Sequence, residues 1–189
     1  MNVGFVGLGK LGLPCALAIE DKGHYVCGYD INPAVKEIID SKELPYRELG
    51  AQSLLDKTKI DFLDLKGVVE KSDIIFVPIQ TPHDPEYEGV TRLQEERVDF
   101  DYTWLKEGLK NLSDEIDSLG KDKIVIIIST VLPGTVRREI KPLLSSHVKL
   151  CYNPFFIAMG TTIKDFTEPE FVLFGVDDEE AYETAKSFY

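Results

Sequence analysis

An α/β fold, a doubly wound and mostly parallel sheet covered by helices on both faces in three layers, is predicted by three observations. Short apolar runs rich in β-branched residues alternate with segments of helical period along the chain. A glycine-rich turn follows the first of those runs directly. The run at residues 123–129 is almost wholly β-branched, the pattern of a strand buried on both faces of a parallel sheet. Right-handed crossovers then place helices on both sides. Such sheets take ligands beyond the C-terminal ends of their strands, where the strand order reverses.

Each element follows from local pattern. Residues 2–7 read as the first strand. Residues 9–22 read as a helix, with Leu11, Leu13, Leu17 and Ala18 available for a packed face. Residues 25–30 form the second strand and 33–41 a helix, with Asn32 as its cap and Pro33 where a helix tolerates it first. A helical turn at 53–57, a short strand at 60–62, a helix at 63–71 and a strand at 73–78 follow. Residues 82–99 are polar, charged and aperiodic, hence a long loop. Leu105, Leu109, Leu112 and Ile116 mark the face of a helix over 102–119. Beyond the strand at 123–129, a helix is expected over 134–145, strands over 148–152 and 170–175, and the start of a helix over 178–189.

The 189 residues are expected to form one domain, 1–189, with 43% hydrophobic and 29% charged residues. A formal net charge of −12, without any stripe of Lys and Arg, argues against nucleic acid as a partner. The longest apolar run, 124–128, is too short to span a membrane, and the N-terminus has no basic region or cleavage signature. A cytoplasmic setting is expected, in keeping with three cysteines, Cys15, Cys27 and Cys151, that show no paired or metal-type spacing and read as buried filler. His24, His83 and His147 are scattered, so no metal site is expected, and His83 reads as a solvated loop residue.

Two features carry chemistry. Gly7-Leu8-Gly9-Lys10-Leu11-Gly12 closes a strand and opens a helix, the context in which a GxGxxG sequence binds a dinucleotide. Gly7 permits the tight turn, a side chain at Gly9 would keep a pyrophosphate from the backbone, and Gly12 lets helix and strand approach. The helix N-terminus supplies free N–H donors and the positive end of its dipole. Asp30 closes the second strand at the spacing where a carboxylate accepts both adenosine ribose hydroxyls. It would repel a 2′-phosphate, and Ile31, Asn32 and Pro33 offer no cation to hold one, so NAD is favoured over NADP. Flavin, which uses the same fingerprint, stays open. Together these features define a Rossmann-type dinucleotide-binding domain.

Four segments in order, GLGKLGLP at 7–14, VPIQTP at 77–82, STVLPGT at 129–135 and YNPFFIAMG at 152–160, resemble the UDP-glucose/GDP-mannose dehydrogenase family, and residues 165–175 also fit it. The resemblance implies an NAD-binding domain of a nucleotide-sugar 6-dehydrogenase, which oxidises a sugar CH–OH group with NAD as hydride acceptor in polysaccharide biosynthesis. It implies a longer protein with a central helical dimerisation region and a C-terminal substrate domain carrying the nucleophilic Cys. The isolated 189 residues would then be inactive, with a nucleotide-sugar partner and a homodimer belonging to the full-length protein. It places Thr81 and Pro82 along the cofactor, and Ser129 and Thr130 near the nicotinamide, with Thr130 the catalytic candidate in this chain. The cofactor-binding set is thus Gly7, Leu8, Gly9, Lys10, Leu11, Gly12, Asp30, Thr81, Pro82, Ser129 and Thr130.

The chain departs from the family's pattern where Phe155 and Met159 stand at the places of two Glu residues. Neither can move a proton or orient water, so those roles are not carried over, and Phe155, Phe156 and Met159 are expected simply to pack. Cys151 matches no nucleophile motif. Two alternatives remain: a non-catalytic NAD-binding or sensing module, and another Rossmann oxidoreductase of the 6-phosphogluconate or hydroxy-acid type.

Overall fold

The structure, a computed structural model, describes residues 1–87 and 98–189. The central part of the expected 82–99 loop therefore lies outside the described residues.

Among the described residues, seven strands form one sheet in the order β3-β2-β1-β4-β5-β6-β7. They are β1 (Asn2–Val6), β2 (Tyr25–Tyr29), β3 (Asp61–Phe62), β4 (Ile74–Val77), β5 (Lys123–Ile127), β6 (Val148–Tyr152) and β7 (Gly175–Val176). All pairs are parallel except β6–β7. The order reverses between β1 and β4, which places a switch point at the centre of the sheet.

Side-chain alternation assigns the two faces. Ile74 and Phe76 of β4, with Ile124 and Ile126 of β5, enter one core. Their neighbours Ile75, Val77, Val125 and Ile127 enter the other. Onto the first core pack α1 (Gly12–Asp21), α2 (Pro33–Ser41), α3 (Ala51–Leu55), α6 (Thr162–Thr167) and α7 (Glu179–Phe188). Onto the second pack α4 (Leu65–Lys71) and α5 (Thr103–Leu119), the latter through Leu105, Leu109, Leu112 and Ile116. The three-layer arrangement is the one the alternation predicts. Helix α1 is buried nearly all round, from Gly12 to Ile19, because α3 and α6 pack against its outer side. Asn32 caps α2 by accepting the Ala34 N–H at 3.1 Å.

Three expectations are corrected. The helix over 134–145 is instead a π-helical turn, Val136–Ile140, followed by a 3₁₀ turn, Lys141–Leu143. Pro142 is the cause: it has no N–H to give the Arg138 carbonyl, so the α-helical ladder cannot pass it. The strand over 170–175 shrinks to Gly175–Val176 and runs antiparallel to β6. The preceding Phe171, Val172 and Leu173 are exposed rather than paired into a sheet layer. Finally, Phe155 packs on the core, its ring 5.1 Å from that of Phe166, and Phe156, though 58% exposed, packs at the surface on Phe171 with ring centroids 4.6 Å apart, whereas Met159 is 65% exposed and does not join the core. The loop carrying them turns the Phe156 and Met159 side chains away from the core.

All three cysteines are free and buried. Burial pushes each thiol upward, that of Cys151 to about 11, so none is a ready nucleophile. Among the described residues no helix is long and apolar enough to cross a membrane.

Candidate functional site

A cleft of about 820 Å³ opens at the C-terminal ends of β1, β2, β4 and β5, within the range of small-molecule sites. Gly7, Gly9, Lys10, Leu11, Asp30, Thr81, Ser129 and Thr130 all line it. Residues as far apart in sequence as Val6 and Met159 converge here because the switch point leaves no helix over the centre of that edge.

The turn after β1 is set by its glycines. Gly7 has φ +108°, a conformation that L side chains rarely adopt. A Cβ at Gly12 would run into the Gly7 carbonyl oxygen, so glycine is what lets α1 start directly beneath the turn. At Gly9 a Cβ would meet no protein atom within 4 Å and would project into open space. Helix α1 has no side-chain cap and no acidic residue in its first turn. The Leu13 and Cys15 N–H groups already donate to the Gly9 and Leu11 carbonyls, and Pro14 has none. The helix dipole and the Lys10 and Leu11 N–H groups of the turn, without backbone partners among the described residues, are what is left for an anion, with Lys10 the cation among the lining residues.

Asp30 anchors the neighbouring corner. One carboxylate oxygen accepts the Leu8 N–H at 2.7 Å and the other the Asn32 N–H at 2.8 Å. Each oxygen keeps a further lone pair for a hydroxyl. The carboxylate is thus held in place before any ligand arrives, and Ile31 beside it is 76% exposed.

On the other side, the Thr81 hydroxyl donates to the Thr130 carbonyl at 2.7 Å and ties the segments after β4 and β5 together. The buried Ser129 hydroxyl donates to the Val77 carbonyl at 3.1 Å, while Thr130 is exposed. Tyr102, at the start of α5, joins the same wall. Its hydroxyl donates to Asp99 and accepts from the Leu132 N–H at 3.0 Å and the Thr135 hydroxyl at 3.4 Å. Burial and the Asp99 carboxylate hold the phenol above its ordinary pKa, so it stays protonated.

Three expected residues lie off the cleft. The Leu8 side chain is buried against Gly28, Gly12 sits beneath the turn, and Pro82 is exposed with its carbonyl accepting the Asp101 N–H at 2.8 Å. Sequence reasoning missed the wall formed by α5, where Trp104, Glu107, Gly108 and Asn111 line the cleft. Their i, i+3, i+4, i+7 spacing was visible but reads as an ordinary solvated helix face. It also missed Met159, which reaches the cleft from the loop after β6.

That loop is held from behind by Glu48, which is 8% exposed and lies in the connection from α2 to α3. One Glu48 oxygen accepts the Gly160 N–H at 2.9 Å and the Thr162 hydroxyl at 2.8 Å, and the Leu49 N–H donates to the Gly160 carbonyl at 3.0 Å. Asp165 adds a second hold, accepting the Ala158 N–H at 3.0 Å and the Thr161 hydroxyl at 2.8 Å.

An open parallel sheet with a glycine turn, an uncapped helix N-terminus and a ribose-type carboxylate at its switch point defines a dinucleotide-binding domain. The model of the UDP-glucose/GDP-mannose dehydrogenase family, NAD binding domain, matches residues 1–189, and the chain belongs to that family. NAD is accordingly its cofactor. Among relatives, the GDP-mannose 6-dehydrogenase of Pseudomonas aeruginosa is 25% identical, covering 100% of this chain and 44% of that protein. An uncharacterised protein of Methanocaldococcus jannaschii is 28% identical over 94% of this chain and 19% of its own length. The crystal structure of a ternary complex of the P. aeruginosa GDP-mannose dehydrogenase superposes with a TM-score of 0.88 at 25% identity, over 100% of this chain and 44% of that one. A UDP-glucose dehydrogenase of Pyrobaculum islandicum shares the fold with a TM-score of 0.83. The chain thus spans less than half the length of the dehydrogenases it matches. The family match sets aside the hydroxy-acid alternative and the flavin alternative.

Proposed function

We propose that the chain is the cofactor module of an NAD-dependent dehydrogenase that oxidises a CH–OH group of a nucleotide sugar. The observation that carries this reading is the cleft itself: the turn, the α1 N-terminus, Asp30 and the Thr81–Thr130 pair meet at one switch point. NAD, when bound, accepts a hydride. The residues of this chain do the holding. The Lys10 and Leu11 N–H groups of the turn, at the start of α1, take the pyrophosphate, Gly9 lets it approach, and Asp30 takes the ribose hydroxyls. Thr81, Ser129 and Thr130 form the wall at the opposite end, where Thr130 alone of the three is exposed with a hydroxyl that has no partner among the described residues. Leu8 and Gly12 shape the turn rather than touch the ligand.

No described side chain of the loop 153–160 is a carboxylate, and its apolar Met159 faces the cleft. On this reading the groups that bind the sugar and supply a nucleophile lie in a further part of a longer protein, and the 189 residues alone turn nothing over. A cytoplasmic homodimer is the expected assembly of that longer protein. The same loop is the feature that favours a second reading, a module that binds NAD without catalysis.

Calorimetric titration tests the site. NAD is expected to bind far more tightly than NADP, and Asp30→Ala is expected to weaken NAD by about ten-fold, ~1.4 kcal/mol, while narrowing the preference over NADP. Equal binding of both cofactors, or indifference to Asp30→Ala, would refute the placement. Steady NAD reduction by this chain with UDP-glucose or GDP-mannose would refute the division of labour.

A further inference from the structure

We propose that Gly108 is a positioning residue for the cofactor: the missing Cβ leaves a notch in α5 that receives Ile79 and so keeps the cleft open. The inference rests on the assignment of the cleft to NAD.

Gly108 lies well inside α5, where glycine disfavours the helix, and its φ is not in the left-handed region. Helix geometry therefore gives no reason for it. The neighbourhood does. A Cβ at position 108 would overlap Ile79 Cδ1, with Cγ1 at 3.8 Å, and no other atom comes close. Both residues line the cleft.

Neither backbone can yield. On the helix side, Leu105, Leu109, Leu112 and Ile116 are all but fully buried and fix α5 against the sheet. On the strand side, Ile79 follows Pro78, which packs on the glycine turn: a Cβ at Gly7 would lie 3.5 Å from the Pro78 ring, and one at Gly12 would lie 2.8 Å from it. Close-packed surroundings transmit displacement rather than absorb it. A methyl group at 108 must therefore be accommodated by the Ile79 side chain, and the open direction is into the cleft.

The test is titration of the parent chain, G108A, I79V and G108A/I79V with NAD. Valine lacks Cδ1, so it vacates the notch that alanine fills. The I79V variant sets the reference for loss of Cδ1, G108A is expected to bind at least about five-fold more weakly than the parent, and the double variant to return to within about two-fold of I79V. Thermal unfolding of G108A is expected at or above the parent temperature, since alanine favours the helix. Parent-like binding by G108A, or a double variant as weak as G108A, overturns the proposal. Should G108A fail to fold, G108A/I79V must fold and bind as I79V does, and its failure is equally fatal. A parent that binds no NAD overturns the site assignment along with this proposal, which the first titration shows.

Discussion

The turn at residues 7–12 and the loop at residues 153–160 leave the same edge of the sheet and both reach the same cleft, the second through Met159, yet they are built by opposite means. The first works through backbone: a positive φ, close helix contact and N–H groups with no side chain in front of them. The second presents side chains, with Phe156 and Met159 mostly exposed, and is fixed from behind by Glu48 and Asp165. A backbone cradle tolerates almost no substitution at the point of contact. A tethered loop tolerates changes at its tip and is vulnerable at tethers distant in sequence.

The sharpest test of that contrast is Gly9→Val. A Cβ there meets no protein atom within 4 Å and would stand where the ligand approaches, so NAD binding is expected to fall about 100-fold, ~2.7 kcal/mol, with little change in thermal stability. Retained binding, or a joint loss of binding and stability, would break the comparison. The opposite pattern is expected of Glu48→Ala. It strands the Gly160 N–H and the Thr162 hydroxyl, and denaturant unfolding should show a loss of about 3 kcal/mol with NAD binding weakened by no more than about three-fold. In Glu48→Gln a carbonyl oxygen remains to accept both hydrogen bonds, so most of the loss should be recovered. If the alanine variant is as stable as the parent, the loop is not held from behind.

The smallest effect is a pH response at the loop's second tether. The Ala158 N–H, then the Thr161 hydroxyl, hold the Asp165 carboxyl below its ordinary value of 3.8. A depressed folded-state pKa means a contribution that is whole above that ordinary value and lost as pH falls through the lower one. NMR amide shifts of Ala158 and Thr161 should move together only below pH 3.8. Movement centred above that value would show that Asp165 is not a hold.

Much of the first region could be read from residues, and little of the second. Gly7, Gly9, Gly12 and Asp30 announce themselves by spacing around a strand end, because their chemistry is local. The alternation of β4 and β5 side chains is local too. Glu48 and Gly160 are 112 residues apart, and no period or motif joins them. The stripe of α5 on the cleft looks like any solvated face until β4 is placed beside it. The break in the expected 134–145 helix had a visible signal in Pro142, which outweighs the helical spacing around it. The exposed run at 171–173 has the composition of a strand but only two residues beyond it find a partner, since β6 already ends the parallel array.

The single hydroxyl of Tyr102 serves both the segment entering α5 and the turn leaving β5. A load placed on the Thr130 side of the cleft is therefore borne by a 17-residue rod seated on the sheet rather than by a free hairpin of chain. The far wall of the cleft has the stiffness of a helix although it is made of loop, and a ligand that arrives there meets a surface already set in shape.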